Sequence, residues 1–81
     1  MANTIIIGAR CQLENGARGE VRYVGKVPEI GFGYFVGILL DEAQVGLGNG
    51  TLSGNYYFFS EIGQGYFERP NKIEIGDFPK I

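Results

Sequence analysis

The chain has 81 residues, 44% of them hydrophobic, with a formal net charge of −2 and one cysteine, Cys11; it is one small domain that must fold on its apolar core without an internal disulfide. There is no histidine and the pI is about 4.9, which removes the commonest general base and metal ligand and argues against a phosphate-binding surface. The apolar run Ile5-Ile6-Ile7 is too short to cross a bilayer and no signal-peptide pattern leads the chain, so a cytoplasmic domain with no membrane or nucleic-acid partner is expected.

Short β-prone runs follow one another along the chain: RCQLE at 10–14, EVRYV at 20–24, YFVGILLD at 34–41, NYYFF at 55–59, YFERP at 66–70 and KIEI at 72–75. No segment holds a helical period. Asn15-Gly16, between the first two runs, predicts a tight hairpin because both residues tolerate positive φ. Five or six short strands on so small a chain cannot leave a wide flat sheet exposed, so the predicted fold is mostly β with little or no helix: a small SH3-like, partly open antiparallel barrel. Residues 1–81 read as a single domain, and the tail GDFPKI, with Pro79 favouring an extended exit, fits a domain cut from a longer protein.

The chemistry-bearing inventory is thin. Asp41 and Glu42 are adjacent, so on a strand they point to opposite faces and make a poor carboxylate pair. Gly46-Leu47-Gly48-Asn49-Gly50 lacks the Gly-Lys-Ser/Thr of a phosphate loop and the βαβ context of a dinucleotide fingerprint. No enzyme activity and no cofactor are expected.

The order of the motifs is more specific: RGEVRYVG (18–25), GYFVGILLDEA (33–43), the glycine-rich loop, GNYYF (54–58), then GQGYFERP (63–70). This order resembles the CAP-Gly family over about Gly8 to Phe78, and the closing IGDFP at 75–79 is similar to its tubulin-folding cofactor branch. The resemblance implies a glycine-rich β module that binds acidic, aromatic-ended peptide C-termini, above all the Glu-Glu-Tyr type tail of α-tubulin, in a cytoplasmic, cytoskeleton-associated setting. Another tubulin-folding cofactor is a second implied partner.

Carried onto this chain, the family's groove aromatics fall on Phe35 and Phe67, and its basic residue on Arg69; the third apolar wall falls on Phe32 or on Ile30. A terminal aromatic ring needs an apolar slot and its carboxylate needs N–H donors or a cation, and Arg69 offers an always charged fork. The peptide-binding set implied is thus Phe32, Phe35, Gly46, Leu47, Gly48, Asn49, Gly50, Phe67 and Arg69.

One departure matters. The family loop reads Gly-Lys-Asn-Asp-Gly, and here Leu47 stands at the lysine, Gly48 at the asparagine and Asn49 at the aspartate. Gln44-Val45 lengthens the approach by a residue, so Asn49 can also stand in for the missing asparagine. Loss of the lysine implies binding weaker by about tenfold or more, and Leu47→Lys is expected to tighten binding and steepen its salt dependence. Two other readings stay open: the same fold serving a different peptide or a segment of its own parent protein, and an SH3-like module for proline-rich segments with a ridge built from Tyr56-Tyr57-Phe58-Phe59.

Overall fold

The computed structural model describes residues 5–45 and 47–80. Its strands are β1 (Arg10–Leu13), β2 (Arg18–Lys26), β3 (Tyr34–Leu40), β4 (Thr51–Leu52), β5 (Asn55–Tyr56), β6 (Gly65–Glu68) and β7 (Ile73–Ile75), with a 3-10 turn at Pro70–Lys72. β6, β3, β2, β1 and β7 form one antiparallel sheet in that order, and β4 and β5 form a separate two-stranded hairpin.

Asn15-Gly16 does make the first reversal, by a different device from the one expected. Only Gly16 takes positive φ (91°); its N–H donates to the Leu13 carbonyl, the Leu13 N–H donates to Ala17, and the Asn15 side-chain oxygen accepts from the Ala17 N–H. That is a three-residue loop, a turn followed by a glycine bulge, rather than a two-residue one. The two-residue type appears instead at Ser53-Gly54, where φ is 48° and 83° and Leu52 faces Asn55.

β6 and β7 are consecutive in sequence yet lie at the two edges of the sheet. Their link contains the 3-10 turn, whose rise of about 2.0 Å per residue is too short to cross a flat five-stranded sheet roughly 19 Å wide between edge strands. The sheet therefore curls, which gives the SH3-like, partly open barrel.

β3 is buried on both faces. Val36, Ile38 and Leu40 join Cys11, Leu13 and Val21 in the core, while Phe35, which points the other way, is also buried, at 4% exposure. Burial raises the thiol pKa of Cys11, which keeps it an inert core residue.

The second layer exists because β2 changes phase. Val21 pairs with Ile38 and Tyr23 with Gly37, with a bulge between them at Arg22. Residues two apart on a strand share a face, but the bulge turns Val21 into the core and Tyr23 onto the opposite side. There Tyr23, Gly37 and Phe67 form one row across three strands.

Phe58 completes that layer by lying over Gly37. A Cβ at Gly37 would stand 2.6 Å from Phe58 Cε1 and 2.9 Å from Tyr23 Cβ. Gly37→Ala is therefore expected to lower stability by about 1–3 kcal/mol, the usual cost of overpacking; an unchanged midpoint in urea unfolding would show that the layer is loosely packed.

Candidate functional site

The NYYFF run is strand only at Asn55–Tyr56, so the alternation expected for it fails. Tyr57 and Phe58 both meet the Phe67 ring edge-on, with centroids 5.5 and 5.4 Å away, and Tyr57 meets Tyr23 at 5.1 Å. Tyr56 and Phe59 are exposed. Irregular backbone lets neighbours share a face; the four residues do not form one ridge.

Phe67 therefore sits within a chain of aromatic rings, half-buried. Phe35 is covered: the Arg69 guanidinium carbon lies 4.0 Å from its ring centroid, a cation–π stack. The fork is held there by the carbonyl of Phe32 and, at 3.4 Å, that of Tyr34, both accepting from Nη1. Gly31 and Gly33 flank it so closely that a Cβ would approach its nitrogens to 3.5 and 3.0 Å. Arg69 is ion-paired with no carboxylate among the described residues, and its remaining N–H donors are open to one.

Beside this stack lies an apolar cleft of about 300 Å³ lined by Lys26, Pro28, Gly31, Phe32 and Gly33. Phe32 is 95% exposed, and the Lys26 ammonium lies 6.0 Å from the centre of the Tyr34 ring. Ile30, the alternative to Phe32, is about half exposed in the same loop.

The glycine-rich loop sits at the other end of β6. Gly48 forms an antiparallel bridge with Gly65, and its carbonyl accepts from the N–H groups of Gly63 and Gly65. Gly50, at φ +86°, is so close to Phe58 that a Cβ would collide with its carbonyl oxygen, and a Cβ on Gly65 would meet the Gly50 nitrogen at 2.5 Å. These glycines bring three backbone segments into contact. Gly46 lies outside the described residues.

Leu47 is partly buried and packs against the core cluster, so the position that resembles the family's lysine is turned inward. Asn49 is exposed, and its side-chain oxygen accepts from the Thr51 N–H, which leaves its amide hydrogens to a ligand. From Gly65 to Arg69 the strand covers roughly 13 Å, so the loop and the Arg69 stack lie about four extended residues apart.

The sequence left one group out. Glu29, in the β2–β3 loop, accepts hydrogen bonds from Tyr57 Oη at Oε1 and from Asn55 Nδ2 at Oε2, the latter 2.8 Å long. These bonds hold the carboxyl below its ordinary pKa, and the bonded carboxylate pushes the Tyr57 phenol up to about 12. The partners are 26 and 28 positions away, and nothing in the local pattern announces the contact.

A curled, mostly β module with an aromatic layer on one face, an arginine stacked at its end and a glycine-packed loop beside it is a small SH3-like barrel in class. The CAP-Gly domain family matches residues 7–73, and the chain belongs to that family. It is similar to tubulin-folding cofactor B of Arabidopsis thaliana, 43% identical over 77 residues covering 94% of this chain and 31% of that protein. It is also similar to tubulin-specific chaperone B of Caenorhabditis elegans, 39% identical over 84 residues covering 99% and 36%. The Bik1 CAP-Gly domain, solved with an ETF peptide from Bim1, superposes with a TM-score of 0.69 at 35% identity, covering 82% of this chain and 78% of that one. The chain spans about a third of the length of these curated relatives.

Two predictions follow from the geometry. Leu47→Lys is expected to lower stability by about 1 kcal/mol, since an apolar contact with the core is lost while the long side chain can still reach water; a variant as stable as the parent in urea would place Leu47 outside the core. Tyr57 keeps its proton in the folded state where an unfolded tyrosine, at 10.0, gives it up. Its contribution to stability is thus complete below about pH 10 and is lost as pH rises toward 12. Phenolate absorbance should show one tyrosine ionising at about 12 and moving down in Glu29→Gln; a Tyr57 that titrates alike in both would contradict the contact.

Proposed function

We propose that this domain binds an acidic peptide C-terminus ending in an aromatic residue, of the Glu-Glu-Tyr type found on α-tubulin, and does so as a non-catalytic part of a tubulin-folding cofactor in the cytoplasm. The observation that carries this reading is the Arg69 fork, stacked on Phe35 at 4.0 Å beside an apolar cleft at Phe32 and free of any acidic partner among the described residues.

In this reading the terminal ring enters the apolar cleft and its α-carboxylate takes the open donors of Arg69, a charge-assisted bond of the planar, two-pronged kind. Phe35 serves from beneath, by fixing the plane of the guanidinium. Phe67 supports the aromatic wall through Tyr57 and Phe58. Gly48 and Gly50 shape the loop that meets the acidic residues upstream, where Asn49 supplies an amide in place of the lysine and asparagine of relatives. The similarity to a CAP-Gly domain solved with an ETF peptide and to tubulin-folding cofactor B supports the ligand class and the setting, with another tubulin-folding cofactor as a further partner.

The inward turn of Leu47 favours one alternative: the fold is kept and a less acidic ligand, such as a segment of the parent protein, is bound. Titrating a peptide ending in Glu-Glu-Tyr against its C-terminally amidated form separates the two. The free acid is expected to bind at least about tenfold tighter, the value of one good charge-assisted bond. Equal affinities, or no binding by either at millimolar concentration, would sink the tail reading.

A further inference from the structure

Glu29 is an exposed carboxylate on the loop between β2 and β3, and it fills two donors that do not belong to that loop. Both of its oxygens are used, one by the Tyr57 hydroxyl and one by the Asn55 amide. The donors are held from elsewhere: Tyr57 is wedged edge-on between Tyr23 and Phe67, its N–H donates to the Gly50 carbonyl, and Asn55 closes the β4–β5 hairpin opposite Leu52. The acceptor has no such support. Its loop is tied back by the turn bonds from the Ile30 and Gly31 N–H groups to the Val27 carbonyl, and the Glu29 side chain reaches out from it.

Two fixed donors converging on one carboxylate describe a carboxylate-binding site, whichever carboxylate sits there. An exchange of one carboxylate for another keeps both hydrogen bonds, so its net cost is small. We propose that Asn55 and Tyr57 form a carboxylate receptor at the edge of the aromatic face, occupied in the free domain by Glu29, and that Glu29 competes there with acidic residues of an incoming peptide. The receptor lies one ring contact from Phe67, so a peptide engaged along β6 places its acids within reach. Glu29 thus sets a threshold: a ligand must displace it or make enough favourable contacts elsewhere to bind beside it. The peptide half of this inference rests on the tail-binding reading; the receptor half does not.

The two halves are tested separately in the isotope-labelled domain. Acetate is expected to shift the Asn55 side-chain amide saturably in Glu29→Ala and not in the parent domain; the same response in both, or in neither, would overturn the receptor. The Glu-Glu-Tyr peptide is expected to bind Glu29→Ala about three- to tenfold tighter than the parent, the gain of one or two neutral-donor bonds, and this gain should vanish when Tyr57→Phe is added. Equal or weaker binding by Glu29→Ala would overturn the competition. An acetate response confined to Glu29→Ala, with no peptide bound by either protein, would uphold the receptor and remove the tail reading.

Discussion

The burial of β3 on both faces is the constraint on which the remaining structure depends. A single antiparallel sheet of this size normally covers one face and wets the other. Here the core takes Val36, Ile38 and Leu40, and the opposite side is closed by Tyr23, Tyr57, Phe58 and Phe67. Two local devices make this possible. The bulge at Arg22 moves Tyr23 from the core side to the aromatic side, and the absence of a side chain at Gly37 gives Phe58 a place to lie. Edge-to-face rings add about 1 kcal/mol per pair beyond the area they bury, which is substantial in a domain whose whole stability is of the order of 5–10 kcal/mol.

Charge is arranged around that frame in a consistent way. Arg10 is a bidentate partner of Asp41 and also donates through Nε to the Phe78 carbonyl, while Arg18 reaches the Pro79 carbonyl and lies 5.5 Å from the Phe78 ring centre. These two arginines fix the C-terminal segment against β1 and β2. Arg69, like Arg18, is held by carbonyls and an aromatic face rather than by an acid, but it stands beside the apolar cleft at Phe32. A cation held in place without being neutralised is prepared for an anion from outside.

The strands were largely legible because alternation and turn residues report them directly: β1, β3, β6 and β7 fall within a residue or two of the β-prone runs. Arg69, Phe35 and Phe32 were also legible as a group, through motif order, although spacing says nothing of the guanidinium covering Phe35. What stayed hidden depends on contacts distant in sequence or on irregular backbone. The bulge at Arg22 leaves no compositional mark, Tyr57 and Phe58 share a face only because residues 57–59 are not a strand, and Glu29 finds its partners across the fold. The core contact of Leu47 was hidden too, because a resemblance assigns a place in a loop and not the direction of its side chain.

The contacts among Gly48, Gly50 and Gly65 carry a consequence for how such a loop can change over time. Its shape is fixed by backbone meeting backbone, where any added carbon would collide at Gly50 or Gly65, whereas the side chains at 47 and 49 take no part in that contact. Form and charge are therefore separately heritable in this loop. A change of side chain at 47 leaves these backbone contacts in place and acts instead through the apolar contact that Leu47 makes with the core. The glycines mark what the loop's shape requires, and the positions between them mark where a side chain can change without altering that shape.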